Sequence, residues 1–224
     1  MPTHQSLSGV SDDAFLQRMV QTYPERFEET FWTVVTTQVA SHLPTNAVAL
    51  DLGCGPGLFL RDLGQRYPQM RLYGYDVTPA MVAYGQQMST TGARPTLAVH
   101  DVATQPLPHA DGSVHLVVMT SVLHVIDEPL PVLADIRRIL TPAGLFMLHD
   151  WVRHPLPTYL AWRREHMQEE AETSIQQGFR LFAVHNKYTV EDWQWLLATA
   201  GFTIRYQTQL RPTHQMFVTT PAMV

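Results

Sequence analysis

One stretch, Ala47–Leu63, limits the possible folds of this chain more than any other. It opens with Ala47–Leu52, an apolar run of strand length that carries an acid, Asp51, at its end. Glycine then occupies every second position of Gly53–Gly57, and apolar residues recur at helical spacing from Leu58. Glycine is required where the backbone takes a positive φ or lies against a ligand. The stretch predicts a strand, a tight turn and a helix, with backbone N–H groups that suit a ligand at the mouth of the turn.

Strand-like and helix-like segments alternate through the rest of the chain. The predicted strands after the first are Arg71–Asp76, Pro95–Asp101, Val114–Thr120, Ala143–Asp150, Phe202–Leu210 and Gln215–Thr219. Helical patterns cover Leu130–Leu140 and Thr189–Ala200. Alternating β and α units predict an α/β fold with a parallel sheet and right-handed connections, and the last two strands predict an antiparallel end. Three predicted strands end in an acid, at Asp51, Asp76 and Asp101.

The segment before the first strand predicts helices without a partner strand. Residues 1–11 are expected to form a loose tail, and Ser11–Asp13 is a helix-start signal ahead of an apolar stripe. Pro24 is expected to interrupt this helix, and a second helix is expected over Glu25–Leu43. The pair covers either the ligand site or one edge of the core.

Composition limits the class of protein. The chain has 224 residues, 45% of them hydrophobic and 16% charged, which is enough for the core of one domain over residues 1–224 and argues against disorder. A net charge of −5 offers no strongly basic face for nucleic acid. The single cysteine cannot form an intramolecular disulfide. Without a signal-peptide pattern or an apolar run of membrane-spanning length, we expect a soluble, cytoplasmic protein with no membrane contact.

The glycine turn distinguishes between nucleotide-binding families. Its spacing, G-x-G-x-G behind an acid, differs from the dinucleotide fingerprint G-x-G-x-x-G and disfavours a nicotinamide dehydrogenase. The sequence of Asp51–Gly57, D-L-G-C-G-P-G, resembles motif I of the class I S-adenosylmethionine (SAM)-dependent methyltransferases. This resemblance covers about Ala47–Asp150 and implies SAM as cofactor. It also implies a Rossmann-like three-layer sandwich, with a seven-stranded, mostly parallel sheet of order 3-2-1-4-5-7-6 and an antiparallel last strand.

The resemblance also implies how the cofactor lies. The glycine loop would hold the methionine end and Asp51 its amino group, whereas Asp76 would accept hydrogen bonds from the ribose and Asp101 from the adenine amine. We expect no redox role for Cys54, a small residue within the loop. The predicted cofactor-binding residues are Asp51, Gly53, Cys54, Gly55, Gly57, Asp76, Val77, Met81, Asp101, Val102 and Thr120.

The exit from the fourth strand bears on the acceptor. Ser121–Asp127 reads S-V-L-H-V-I-D, which resembles the exit x-L-H-x-[LIV]-x-D of many small-molecule methyltransferases. It does not resemble [DN]-P-P-[YF], the exit of enzymes that methylate amino nitrogens of bases or of glutamine. The resemblance implies a small-molecule acceptor, most simply at oxygen or nitrogen, and counts against nucleic acid as a partner.

Two segments outside the core are expected to flank the acceptor. By resemblance, the helices over residues 12–43 form a lid, and an insertion over residues 151–188, with a helix from about Pro157, forms the substrate pocket. The predicted substrate-binding residues are Tyr23, Phe27, Trp32, Trp151, Tyr159, Trp162 and Arg163. The aromatic residues could stack on an acceptor or cage a cation, or could be ordinary core residues. An arginine could clamp a carboxylate or lie in solvent.

A general base is needed only if the acceptor must lose a proton. The candidates are His124, His149 and Asp150, all at carboxyl ends of central strands. For His124 a structural role, in packing or in orienting its loop, is favoured over catalysis. His149, Asp150 and His154 are also possible metal ligands. Catechol-type, metal-dependent methyltransferases place an acid right after the fourth strand, where this chain has Thr120-Ser121. The sequence therefore predicts no metal.

The sequence leaves two functions open. One is a SAM-dependent methyltransferase that acts on a small molecule, which the aromatic and histidine residues of the insertion favour. The other is a non-catalytic SAM-binding pseudo-enzyme or partner subunit. In either case we expect a monomer or a homodimer.

Overall fold

A computed structural model describes residues 3–166 and 171–222. Its strands form one seven-stranded sheet in the order β3-β2-β1-β4-β5-β7-β6. The strands are β1 (Val48–Leu52), β2 (Arg71–Asp76), β3 (Thr96–Val99), β4 (Val114–Thr120), β5 (Leu140–Trp151), β6 (Phe202–Arg211) and β7 (His214–Pro221). Strand β7 runs antiparallel to both of its neighbours, and the pairs from β3 to β5 are parallel. The predicted fold class and strand order are confirmed.

Helices cover both faces of the sheet. The α-helices are α1 (His4–Ser8), α2 (Asp12–Arg26), α3 (Glu29–Val34), α4 (Leu58–Arg66), α5 (Pro79–Gln87), α6 (Pro129–Ile139), α7 (Leu156–His166), α8 (Ala171–His185) and α9 (Val190–Thr199). Apolar residues of α6 and α9 pack on one face, and those of α3 and α4 pack on the other. The result is the three-layer sandwich that the alternating pattern predicts. Within the described residues, no helix combines the length and apolar character needed to cross a membrane.

The sequence pattern of the central strands explains why they lie in the middle of the sheet. All five residues of β1 are buried, and β4 is a nearly continuous apolar run covered on both faces. Strand β1 pairs with β2 on one side and with β4 on the other, so the strand order reverses between β1 and β4. Open α/β sheets bind ligands in the crevice at the carboxyl ends of the strands beside such a reversal.

The antiparallel strand β7 also brings residues to the edge of the sheet where this crevice lies. Because β7 runs against β5, the turn between β6 and β7 lies at the same edge as the carboxyl ends of the parallel strands, with Trp151 opposite His214. Arg211 and His214 pair across this hairpin. Residues of the β6–β7 hairpin therefore lie at the same edge of the sheet as the glycine turn.

The prediction of a loose tail over residues 1–11 is wrong, because His4–Ser8 form helix α1. The side chain of Thr3 accepts a hydrogen bond from the backbone N–H of Ser6, and the side chain of Ser6 accepts one from the backbone N–H of Thr3. Gln5 is buried and donates to Thr78 Oγ1 at 2.9 Å. A helix of five residues is too short to show an apolar period, and contacts with the folded body hold it instead.

The prediction that Pro24 interrupts the second helix is also wrong. Pro24 lies in the last turn of α2, which continues to Arg26. A proline removes one helical hydrogen bond and crowds the preceding turn, and near a helix end little helix remains to be disrupted. The helix predicted over Glu25–Leu43 begins only at Glu29, because Glu28 is extended, and it continues through a π-helical turn over Val35–Val39.

Candidate active site

A cavity of about 210 Å³ lies at the carboxyl ends of β1, β2, β4 and β5. Gly53, Asp76, Thr120 and His149 line it from the sheet, while α1 and α2 cover it and α7 and α8 close its far side. A smaller cavity of about 30 Å³ lies beside it and is lined by Asp51. The cavity joins the glycine turn to the insertion, as expected from the order of elements.

The glycine turn needs glycine for two separate reasons. Gly53 and Gly55 have φ values of +72° and +52°, a conformation that side chains rarely adopt. A Cβ added to Gly53 would lie 2.3 Å from Val122 Cγ2, and one added to Gly55 would lie 2.6 Å from Met19 Cε. The turn is packed directly beneath α2 and the loop after β4, so its backbone borders the cavity without side chains in between.

Asp51 is a buried carboxyl group near the end of β1, and one of its oxygen atoms has no hydrogen-bond partner in the described residues. Its side chain is only 2% exposed, and its Oδ1 atom has no hydrogen-bond donor among residues 3–166 and 171–222. Burial raises its pKa from the ordinary value of 3.8 to about 8, and the nearby charge of Asp76 adds to this shift. Buried acceptors are almost always paired in native proteins. A ligand with a cationic amino group, such as the methionine end of SAM, fits this atom.

Asp76 connects the turn to the second strand. Its Oδ2 accepts from the Gly55 backbone N–H at 2.8 Å, and its Oδ1 accepts from the Thr78 N–H at 2.8 Å. Burial raises the pKa of Asp76, although these hydrogen bonds oppose the shift. The Thr78 hydroxyl adds a third hydrogen bond, so one of the roughly four acceptor positions of the carboxylate remains for a donor such as a ribose hydroxyl. Its neighbours Val77 and Met81 also line the cavity.

The third predicted acid lies differently. His100 and Val102 line the cavity, whereas the Asp101 carboxylate accepts from the Ala103 backbone N–H at 2.9 Å. Cys54 is buried, and burial raises the pKa of its thiol well above the usual range. A protonated thiol is a poor nucleophile.

His124 and Asp150 form a buried pair. Asp150 is 0% exposed, and its Oδ1 lies 2.6 Å from His124 Nδ1. The same carboxylate accepts from the backbone N–H groups of Leu123, His124 and Trp151 at 2.9, 3.4 and 2.7 Å. The pair therefore fixes the 3₁₀ turn that follows β4. Asp150 is saturated with donors, which leaves it little capacity to accept a proton from a ligand.

His149 is the base candidate whose side chain faces the cavity. Its Nε2 atom has no hydrogen-bond partner within the described part of the chain. Burial lowers its pKa to about 4, and the charge of Arg211 adds to the shift. The imidazole is therefore neutral at pH 7 and presents a ring nitrogen able to accept a proton.

The predicted substrate-binding residues divide into two groups. Phe27, Trp151, Trp162 and Arg163 line the main cavity. Tyr159 is fully buried and contacts His185, Tyr23 donates to Asp62 Oδ2 at 2.7 Å beside the smaller cavity, and Trp32 stacks on Phe59 at 5.5 Å between ring centroids.

Several residues of the cavity were missed from the sequence. His4, Arg18, Arg26, His185, Arg211 and His214 all line it. Arg26 donates to the Met19 carbonyl oxygen at 3.1 Å, and burial, followed by the charge of Arg211, lowers its pKa to about 10. Isolated basic residues on α2, α8 and an edge strand carry no sequence signal that they meet at one site.

Comparison with known proteins agrees with this geometry. A family model described as "Methyltransferase domain" matches residues 50–148. The chain is 32% identical over 98 residues to a malonyl-[acyl-carrier protein] O-methyltransferase of Legionella pneumophila, a match that covers 44% of this chain and 34% of that protein. It is 29% identical over 114 residues to a dimethylglycine N-methyltransferase of Parasynechococcus marenigrum, covering 50% of this chain and 40% of that protein.

A solved structure extends the similarity to nearly the whole chain. The plantazolicin methyltransferase BpumL, in complex with a substrate analogue and S-adenosylhomocysteine (SAH), superposes with a TM-score of 0.70 over 98% of this chain and 95% of that one. At 11% identity this likeness concerns the fold. The matched region spans about a third of the length of the curated relatives.

Proposed function

We propose that this chain, which belongs to the class I SAM-dependent methyltransferases by its matched domain and its sheet order, methylates a small acceptor bearing an anionic group. The observation that carries the proposal is the cavity itself. An acid and a glycine turn lie at one end, and arginines from α2, α7 and β6 line the rest.

The cofactor half of the proposed site follows from the orphaned acceptor and the turn. Asp51 would hold the amino group of SAM, Asp76 the ribose hydroxyls, and Met81 and Val102 the adenine face. Bound SAM supplies an electrophilic methyl group on a sulfonium, and its displacement needs alignment and a dry site more than it needs covalent help from the protein. Helices α1 and α2 cover part of the cavity and would limit the access of water to it.

Arginines outnumber carboxylates among the described residues that line the cavity, with Arg18, Arg26, Arg163 and Arg211 beside Glu25 and Asp76. Burial lowers the pKa of both Arg26 and Arg211, although the charges of Glu28 and Glu25 oppose the shift of Arg211. Burial therefore carries a cost for these cations. A carboxylate or phosphate on the acceptor would relieve this cost through charge-assisted hydrogen bonds. Malonyl and dimethylglycine, named for two relatives, both carry a carboxylate.

His149 is the proposed base where the accepting atom must lose a proton. Its neutral imidazole lies at the end of β5, on the sheet side of the cavity. An acceptor oxygen or nitrogen that hydrogen-bonds to Nε2 could transfer its proton there as the methyl group arrives. A carboxylate acceptor would need no base, and His149 would then only position it.

Two measurements test the proposal. Calorimetry with SAM and SAH establishes whether the cofactor half binds, and release of SAH is then followed against paired acceptors, each acid beside its neutral amide. We expect Arg211→Gln to raise KM for an acid about tenfold and to leave the amide unchanged. Arg94→Gln is the matched control, because Arg94 is exposed and donates to the Gln86 carbonyl oxygen at 2.8 Å.

Three outcomes contradict parts of this proposal. No binding of SAM at millimolar concentration would refute the cofactor half. Equal use of acids and amides would refute the anionic acceptor. Tight SAM binding with no turnover of any acceptor would favour the non-catalytic alternative.

A further inference from the structure

Three histidines from distant parts of the chain meet at the far wall of the cavity. They are His4 on α1, His124 in the 3₁₀ turn after β4 and His185 at the end of α8. One ring nitrogen from each lies within 4.8 Å of the other two, and His4 Nε2 is 2.9 Å from His124 Nε2. His124 and His185 are 1% and 3% exposed. We refer to these residues as the histidine cluster.

The outer nitrogens of the two buried rings are already held. His124 Nδ1 lies 2.6 Å from Asp150 Oδ1, and His185 Nδ1 lies 2.7 Å from the Tyr159 hydroxyl. Trp151 stacks on the His185 ring at 3.8 Å between centroids, with an angle of 12°. These contacts fix the orientation of both rings. Because a carboxylate can only accept, the proton of His124 lies on Nδ1 and its Nε2 carries the lone pair. Metal-ligating histidines usually have an outer partner of this kind.

One ring of the cluster lacks a hydrogen-bond partner on its inner side. Within residues 3–166 and 171–222, His185 Nε2 is buried and makes no hydrogen bond. Buried polar atoms are almost always paired in native proteins, and a metal ion would supply the missing partner. Imidazole binds metal ions in its neutral form.

We propose that His4, His124 and His185 bind one divalent transition-metal ion of the zinc class through their Nε2 atoms. Three histidine ligands with Zn–N bonds of about 2.0–2.1 Å require nitrogen separations of about 3.3 Å in tetrahedral geometry. The His4–His124 separation of 2.9 Å is slightly below that value and the other separations do not exceed 4.8 Å, so small side-chain rotations would be needed to complete the site. Imidazole selects zinc-class ions over Mg²⁺ and Ca²⁺, which prefer oxygen ligands.

This inference departs from the prediction of no metal, which considered His149, Asp150 and His154. The histidine cluster lies elsewhere, and Asp150 contacts it through the Nδ1 atom of His124. His4 and His185 line the cavity, so a fourth coordination position would face the proposed acceptor site. Binding of the ion is independent of methyl transfer and can be measured without any acceptor.

The test uses the full chain, stripped with a chelator and titrated with ZnCl₂ by calorimetry and with CoCl₂ by visible absorption. We expect one ion per chain and the strong visible bands of a four-coordinate cobalt site. His4→Gln and His185→Ala should abolish this binding. Tyr159→Phe keeps the aromatic ring but releases His185 Nδ1, and it should weaken zinc affinity about 10–100-fold. His42→Ala is the matched control, because His42 is exposed and lies outside the cluster.

Circular dichroism and SAH binding show that each variant is folded before its metal affinity is compared. Failure of the stripped wild-type chain to bind a stoichiometric ion would overturn the proposal. It would also be overturned if His185→Ala and Tyr159→Phe bound zinc as wild type does, or if His42→Ala lost as much affinity as they do. In those cases the 2.9 Å contact of His4 and His124 is a hydrogen bond that anchors α1.

Discussion

Replacing Asp51 with asparagine should stabilise the protein while impairing its site. Burial raises the folded-state pKa of Asp51 from 3.8 to about 8. A carboxyl whose pKa rises on folding contributes its stability below its unfolded pKa, and that contribution is lost as the pH rises toward the folded pKa. At 1.36 kcal/mol per unit, the loss by pH 7, about three units above 3.8, is about 4 kcal/mol. Asparagine has nearly the same shape but does not ionise, so the variant does not suffer this loss of stability.

The assay is urea unfolding of wild type and Asp51→Asn at pH 5, 6, 7 and 8. Groups common to both proteins cancel in the difference between their free energies of unfolding. That difference should grow in favour of the variant by about 1.4 kcal/mol per pH unit and level off above pH 8. The variant should at the same time lose SAM affinity, since the amide cannot pair with an ammonium group. Such a trade between stability and function is common at binding sites.

A stability difference that does not change with pH would refute this reasoning, because Asp51 would then ionise normally in the folded state. Unchanged SAM affinity in the variant would separately refute the role of Asp51 in binding the cofactor.

Three further predictions concern the same site. Wild-type SAM affinity, measured by calorimetry, should rise about tenfold from pH 6 to 7 as Asp51 loses its proton, and Asp51→Asn should abolish that slope. Gly55→Ala should weaken SAM binding at least about tenfold, because alanine disfavours the φ of +52° and the turn would have to shift; unchanged affinity would contradict a tight turn. Asp150→Asn should lower the free energy of unfolding by about 2–4 kcal/mol in urea titrations, since three backbone donors and the His124 ring share that carboxylate. A loss below about 1 kcal/mol would argue against the buried pair.

The sheet and the cofactor side of the site follow from local sequence patterns. Strand and helix periods, the glycine turn and acids at strand ends are features of short segments, and parallel strands bring their carboxyl ends to one edge. Asp51, Asp76 and Thr120 could therefore be placed together without knowledge of side-chain contacts. Asp101 shows the limit, because the end of β3 predicts the location of its backbone but not the direction of its carboxylate.

The acceptor side could not be predicted in the same way. His4, His185 and Arg211 come from a five-residue helix, the end of an amphipathic helix and an edge strand, and only tertiary packing brings them together. Aromatic residues such as Trp32 and Trp151 pack equally well in a core or beside a ligand, so sequence alone cannot distinguish core residues from residues that line the cavity.

The hairpin of β6 and β7 adds residues to the cavity from outside the segment that the family model matches. Residues 50–148 include the glycine turn and Asp76, whereas Arg211 and His214 line the cavity from the last two strands. Under the proposed function, mutations in the hairpin turn should change the choice of acceptor without disturbing the glycine turn. A variant in which this turn is exchanged should keep SAM as its methyl donor and use a different acceptor, so the hairpin is a suitable target for engineering.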